Sequence, residues 1–341
     1  PRATAERRKE LAAHVADATR YPPSLAEAAR LVARHDVPAA LGELYRALDA
    51  DPDLPAALHE LGVLYFRIQR YGDAAVAFER YLEVVPERVG DTRALGHCYY
   101  SLGKYEAARD HYARVLAAAP DSVEALRGLA LSHMRLGDSA RALELLARVL
   151  ELDPAHADAQ LWVAQILYDT EDLAGALRAA ERARSLAPHL PRVWFLLGRI
   201  HGELGHPAEA SEASKRYEFL ARNAEEIRTL EGRLLLDPAA SNLVCRLVGL
   251  YLASGDAAST RHWMRRALSD APASYEVRKL ALETYDALGD EAAAADAARV
   301  LEERFPDTAE TWRLLELHFR RCGDKSNQLR AGERYRRLGA R

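Results

Sequence analysis

Hydrophobic, small and turn-forming residues recur along this chain in a fixed order, within blocks of about 34 residues. Apolar residues follow helical spacing inside each block, and the glycine and proline positions return at the same distance in the next block. A strict repeat of this length predicts stacked helix–turn–helix units. The prolines mark the period in two runs, Pro52, Pro86, Pro120, Pro154 and Pro188, then Pro238, Pro272 and Pro306 after a gap of 50 residues.

Within a block, the order of residue types is that of two packed helices joined by a tight turn. The first helix has a Leu-Gly pair such as Leu61-Gly62, with Tyr65 three residues after the glycine. The second helix has a small residue such as Ala108 and a bulky residue such as Tyr112 four positions later. Small residues let the helices approach closely, and bulky ones fill the space between hairpins. The turn between the helices falls at Gly103, Gly137, Gly205, Gly255, Gly289 and Gly323.

This order of residues resembles the tetratricopeptide repeat family over about residues 21 to 341, and the blocks 55–86 and 89–120 match its pattern at almost every position. The resemblance implies an all-α, right-handed superhelix of about eight to nine repeats. It also implies a scaffold or adaptor that binds proteins or peptides. Some family members grip the C-terminal carboxylate of a chaperone with lysine and asparagine at set first-helix positions. Because Arg93 and His97 stand there in this chain, that ligand is not expected.

The blocks predict four regions. The first twenty residues, with a basic start and apolar residues at helical spacing, are interpreted as an amphipathic cap helix. The regions are residues 1–54 with this N-terminal cap helix and a degenerate first repeat, 55–222 with a first repeat array, 223–240 with a long helix or strut, and 241–341 with a second array and a C-terminal cap.

The 50-residue gap between the proline runs exceeds one repeat by about 16 residues. Its apolar residues keep helical spacing from Pro207 to Asp237, which predicts one helix of about 30 residues. Such a helix would act as a strut that separates two arrays. A break near Asn223 with a separate linker helix is the alternative. We expect the apolar side of this helix to be buried within its own chain rather than to pair with another copy.

Composition supports close-packed helices and narrows the function. Apolar residues make up 49% of the chain and aromatic residues 7%, and the net charge of −4 gives no support for non-specific nucleic-acid binding. No stretch approaches the roughly 18 apolar residues that a membrane span needs. Abundant alanine and an excess of arginine over lysine are typical of a GC-rich bacterial genome. We expect a cytoplasmic protein, with export left open because the sequence starts at Pro1, without an initiator methionine.

No catalytic or metal-binding motif is recognised in the sequence. A glycine-rich phosphate loop, a nucleophile elbow and a tight set of metal ligands are all missing, so we predict a non-enzymatic protein without cofactor or metal. The repeat phase places His111 in a second helix and His133 at a packing position.

The three cysteines are odd in number and lie in well-separated repeats, which argues against a disulfide framework. Cys98, Cys245 and Cys322 are each predicted to lie in a first helix as small apolar fillers rather than as reactive thiols.

Candidate partner-binding residues lie on the predicted concave face, at first-helix positions between residues 55 and 205. These positions are rich in arginine and aromatic residues and poor in carboxylates. Arginine forks beside aromatic rings suit an extended peptide with carboxylates and apolar anchors. The predicted binding residues are His59, Phe66, Arg67, Arg93, His97, Tyr100, Arg127, Met134, Arg135, Tyr168, Phe195 and Arg199.

Two other functions remain open at this point. The arrays could associate with one another through end repeats or the long helix and form a homo-oligomeric scaffold. The chain could also be the substrate-recruiting segment of a larger enzyme. A small-molecule sensor is less favoured, because grooves of this architecture are open and broad.

Overall fold

The computed structural model describes residues 23–34, 36–86, 88–237 and 239–339. All regular structure in these ranges is α-helical, in eighteen helices with no strand. The predicted all-α solenoid of helix–turn–helix repeats is therefore confirmed. The predicted cap helix of residues 1–20 lies outside the described residues.

Consecutive helices pair as hairpins, the first and second helices of successive repeats. Such pairs begin with the helices that start at Pro23, Pro55, Val89, Val123, Pro191, Ser241, Tyr275 and Ala309. In chain order the helices are α1 (Pro23–Ala33), α2 (Val37–Ala50), α3 (Pro55–Arg67), α4 (Tyr71–Val84), α5 (Val89–Ser101), α6 (Tyr105–Ala118), α7 (Val123–Arg135), α8 (Ser139–Leu152), α9 (Ala157–Asp169), α10 (Leu173–Leu186), α11 (Pro191–Glu203), α12 (Pro207–Leu236), α13 (Ser241–Ser254), α14 (Ala257–Asp270), α15 (Tyr275–Leu288), α16 (Glu291–Arg304), α17 (Ala309–Arg321) and α18 (Lys325–Gly339).

The chain divides into two compact units, Pro1–Ala179 and Ala180–Arg341. Helices α1 to α9 lie in the first unit and α11 to α18 in the second, while the boundary falls within α10. The sequence pattern suggests a later break, at residues 223–240. Because α12 packs on helices of its own unit along its whole length, it belongs entirely to the second unit.

A left-handed residue follows the first helix of most repeats. Gly103, between α5 and α6, has φ 74°, and all six turn glycines of the sequence pattern have φ between 66° and 85°. Gln69 and Glu171 stand at the same phase with φ of 60° and 64°. A left-handed conformation costs a residue with a Cβ about 1–2 kcal/mol. Packing of the two helices therefore fixes the turn geometry even where glycine is missing.

Rings and glycines meet where the two helices of a hairpin approach each other. The buried ring of Phe78 in α4 lies on Gly62 of α3, and a Cβ at Gly62 would stand 2.8 Å from it. Tyr112 of α6 contacts Gly96 of α5 and also Gly128 of α7, where a Cβ would stand 2.3 Å from the ring. One aromatic ring thus fills the space between its own hairpin and the next, as the sequence pattern predicts.

The 50-residue gap holds one uninterrupted helix of 30 residues, α12. This agrees with the predicted length, and the alternative of a break near Asn223 is wrong. Asn223 is buried, and its side-chain amide donates to Ser254 Oγ of α13 at 3.1 Å. The first half of α12 packs on α11 and the second half on α13.

The second half of α12 has the register of a repeat's second helix. Tyr251 of α13 donates its hydroxyl to Glu231, 2.8 Å away and 20 residues earlier. Tyr99 of α5 donates to Glu79 of α4 across the same interval of 20 residues. Two repeats that lack one first helix with its turn, about 18 residues, account for the gap of 50. The insertion is thus the second helix of an incomplete repeat rather than a bare connector.

The surfaces that the missing first helix would cover carry polar residues. Ser214 stands where α4 has Phe78; it is exposed and donates its hydroxyl to the Ala210 carbonyl at 2.9 Å. Glu226 stands where α4 has the buried Ala74. Because these positions are polar, α12 tolerates solvent along faces that neighbouring helices cover in the regular repeats.

Candidate functional site

The predicted binding residues divide between the two units. Ten of them lie in the first unit on the first helices α3, α5, α7 and α9, whereas Phe195 and Arg199 lie on α11 of the second unit. Each unit therefore presents its own part of the predicted surface.

His59 of α3 is held by carboxylates. Its Nε2 lies 3.2 Å from Asp91 Oδ1 and its Nδ1 lies 3.6 Å from Glu60 Oε1. Hydrogen bonds to Asp91 and then Glu60 raise the pKa of His59 to about 9. The imidazolium is therefore charged at neutral pH, but its own carboxylates balance that charge.

Three rings form a cluster between the repeats of α3 and α5. The ring centroid of Phe66 lies 5.7 Å from that of Tyr71 and 5.1 Å from that of His97, and the Tyr71 and His97 centroids are 5.7 Å apart. All three side chains are half-buried. They offer partly exposed ring edges rather than an open cage.

Arg93 and Arg127 occupy the same position on successive first helices, and His97 lies close to both. Arg93 Nη1 is 3.9 Å from Glu124 Oε2, with both side chains exposed. Arg127 is half-buried and forms no ion pair with a carboxylate of the described residues. Burial, then Arg127 and Arg93, lower the pKa of His97, so its imidazole is neutral at pH 7. Arg127 thus supplies positive charge that no carboxylate of the described residues balances in an ion pair.

Tyr100 and Arg135 extend this surface along the ends of α5 and α7. The ring of Tyr100 meets that of Tyr105 with centroids 5.4 Å apart, and the guanidinium of Arg135 lies 5.5 Å from the Tyr105 centroid. Met134 is half-buried and packs against the hydrophobic core. We call the surface formed by Arg93, His97, Tyr100, Arg127 and Arg135 the basic face.

Four predicted residues lie outside the group that makes up the basic face. Arg67 is exposed at the end of α3, and Tyr168 is half-buried on α9. In the second unit, the Arg199 guanidinium lies 5.9 Å from the Phe195 centroid, and Phe195 contacts Tyr217 of α12 with centroids 5.5 Å apart. The basic face is therefore defined by the predicted residues of α5 and α7 alone.

Sequence reasoning missed three residues that shape the basic face and its surroundings. Tyr71 and Tyr105 begin second helices, and their rings contact Phe66, His97 and Tyr100. The return of tyrosine at the same phase of the next repeat was a signal for both. Asp91 was missed because its pairing with His59 joins one repeat to the next.

The cysteines differ more in burial than the sequence suggested. Cys98 is fully buried, and burial raises its pKa to about 12, which fits an apolar filler. Cys245 is half-buried, but Cys322 is exposed and caps the end of α17 instead of lying within that helix. The filler prediction for Cys322 is therefore wrong, because its position lies at the solvent-facing turn.

The described ranges contain neither a metal cluster nor a membrane helix. No group of three or more His, Cys, Asp and Glu side chains there could hold a metal ion. No helix there combines the length and apolar character needed to cross a bilayer.

Paired helices that repeat at a constant interval and expose charged and aromatic first-helix positions define a repeat scaffold. The family model described as Tetratricopeptide repeat matches residues 25–88, 93–157 and 127–191. The chain is a tetratricopeptide repeat protein, and repeats of this kind are in general interaction modules.

Several solved structures are similar to this chain, while no curated protein sequence matches it. MamA is 19% identical, covering 47% of this chain and 93% of its own, with a TM-score of 0.45. YrrB, described as a TPR protein with an unusual peptide-binding site, is 23% identical, covering 53% and 93%, with a TM-score of 0.47. PilF of Pseudomonas aeruginosa is 18% identical, covering 60% and 90%, with a TM-score of 0.46.

Proposed function

We propose that this protein is a non-enzymatic adaptor, and that the basic face of its first unit binds an acidic segment of a partner protein. The proposal narrows the broad surface expected from the sequence to α5 and α7. It rests on residues that lie together within one unit.

The observation that carries the proposal is the uncompensated charge of Arg127. Its neighbours on the basic face are Arg93, whose only carboxylate contact in the described ranges is the 3.9 Å approach of Glu124, and the neutral imidazole of His97. A half-buried guanidinium attracts an anion more strongly than a fully solvated one, because water screens it less. A carboxylate of a partner is the group that best matches the arginine fork.

Rings beside the arginines suit apolar side chains of the same segment. Tyr100 and Met134 are half-buried, so each exposes apolar surface next to Arg127 and Arg135. A segment that alternates carboxylates with leucine or phenylalanine would place both kinds of group in contact. The chemistry favours an extended acidic peptide with apolar anchors over a purely acidic tract.

The test uses arrays of short peptides that combine Asp or Glu with Leu or Phe, beside the same peptides with Lys or Arg as the charged residue. The intact chain should bind the acidic set only, and added salt should weaken binding. Arg127→Glu reverses the central charge and should abolish binding. Arg114→Glu is the matched control, since Arg114 is an exposed arginine of the second helix α6.

Equal binding by wild type and Arg127→Glu would refute the site. Equal loss in Arg127→Glu and Arg114→Glu would show only a response to net charge, which also contradicts the proposal. Circular dichroism of each variant checks that the helices are intact. If the intact chain bound none of the peptides but associated with itself, the self-associating scaffold would be favoured instead.

A further inference from the structure

Two histidines face each other at the turn between α11 and α12. His201 lies in the last turn of α11, and His206 is the residue before α12. Their Nδ1 atoms are 3.4 Å apart, and their ring centroids are 5.7 Å apart. This pair lies in the second unit and has no part in the proposed peptide site.

The separation of the two nitrogens matches what a metal ion would require. Zinc binds imidazole nitrogen at about 2.0–2.1 Å in tetrahedral geometry, which places two such nitrogens about 3.3–3.4 Å apart. The observed distance fits two such ligands. Without a metal, the same two nitrogens can share a hydrogen bond, because one neutral imidazole can donate and the other accept.

The backbone of the turn fixes the positions from which the two side chains project. The amide of His206 donates to the carbonyl of His201 at 2.9 Å, and Gly205 between them has φ 72°. Pro207 follows directly as the first residue of α12. Because both flanking helices and the turn are ordered by these contacts, a ligand has to fix only the two side chains.

The pair also differs from three other histidines, whose ring nitrogens already contact carboxylates. His59 contacts Asp91, His133 lies 3.1 Å from Asp138, and His318 lies 2.7 Å from Asp286. Within the described ranges, neither His201 nor His206 forms an ion pair with a carboxylate, and His206 is exposed. Solvent and a dissolved ion can therefore reach the Nδ1 atoms.

We propose that His201 and His206 bind one divalent transition-metal ion of the kind that prefers imidazole, such as Zn²⁺, Ni²⁺ or Cu²⁺, through both Nδ1 atoms. No third His, Cys, Asp or Glu of the described residues completes a cluster, so water fills the other positions. The site is thus an open one, in contrast to a closed structural zinc site.

Calorimetric titration of the tag-free full chain with NiCl₂ and ZnCl₂ tests the site. One equivalent should bind, and His201→Ala and His206→Ala should each lose that binding. His262→Ala is the control, since His262 is an exposed histidine on α14 of the same unit and should leave binding intact. In the Cu²⁺ complex, electron paramagnetic resonance should report two nitrogen ligands in the wild type and one fewer in each variant.

Absence of binding to the wild type would overturn the proposal, as would unchanged binding in both variants. An equal loss in His262→Ala would point to scattered histidines and would also overturn it. Both ligands lie at a surface turn, so circular dichroism should show unchanged helicity in every variant.

Discussion

The regular hairpins α3 to α8 and the region from α11 to α13 use the same register for different purposes. In the regular hairpins, the second helix has a buried bulky residue at one phase, which is Phe78, Tyr112 or Leu146. In α12 the equivalent position is the exposed Ser214, because the next first helix is missing. Whether this position holds a bulky apolar or a small polar residue therefore depends on how many helices pack against the second helix.

Loss of the buried Phe78 ring should destabilise the regular hairpins, whereas a change at the equivalent position of α12 should have little effect. Phe78→Ala removes a side chain that is 1% exposed, and such a change costs about 3–5 kcal/mol. Ser214→Ala alters an exposed hydroxyl and should change stability by less than about 0.5 kcal/mol. Urea unfolding followed by circular dichroism measures both. Similar losses in the two variants would contradict the difference in packing.

The Leu-Gly position should show the same contrast with a smaller effect. A Cβ at Gly62 would stand 2.8 Å from the Phe78 ring, whereas at Gly198 the nearest atom is Ser214 Oγ at 3.5 Å. Gly62→Ala should destabilise by about 1–3 kcal/mol, because the buried ring has to move. Gly198→Ala should be neutral or stabilise by up to about 1 kcal/mol, because alanine favours a helix. Thermal unfolding of both variants decides the matter, and loss of stability in Gly198→Ala would count against the account.

The turns that lack glycine offer a gain of stability. Gln69 has φ 60° at the position where Gly103 has φ 74°. Gln69→Gly should relieve strain and stabilise by about 1 kcal/mol. Gly103→Gln should destabilise by a similar amount, and an unchanged melting temperature in both variants would contradict this interpretation of the turn.

The contact of His59 with Asp91 should give the smallest effect, as a dependence of stability on pH. Because the pKa of His59 is raised to about 9, the pair stabilises fully below the ordinary histidine pKa of about 6.5 and is lost as the pH rises through 9. The His59 side chain is 36% exposed, so we expect less than about 1 kcal/mol. Urea unfolding at several pH values should show that Asp91→Asn loses less stability than the wild type between those limits. Parallel curves would argue against the pair.

The fold could be predicted in detail because the same types of residue recur at the helix contacts of several repeats. Gly205 and Pro207 marked the start of α12, and its helical spacing gave the length of 30 residues. The incomplete repeat was not recognised, since Ser214 and Glu226 replace the residues that carry the pattern. Its register depends on the contact of Tyr251 with Glu231, and a partner 20 residues away becomes visible only after folding.

The candidate site was predicted only in part from the sequence. First-helix positions predicted Arg93 and Arg127 as members of one surface, since the period places them at the same position of successive repeats. The sequence did not show that Glu124 approaches Arg93 while Arg127 stays unpaired within the described ranges. Charge compensation depends on rotamers of long side chains, and these follow from packing rather than from spacing.

The most direct test of the account is hydrogen exchange of the intact chain with and without an acidic peptide selected from the array. We predict slower exchange in α5 and α7, around Arg93, Arg127 and Arg135, and no such change in Arg127→Glu. Slower exchange confined to the second helices or to the second unit would contradict the proposed site. The same contradiction would follow if Arg127→Glu gave the wild-type pattern.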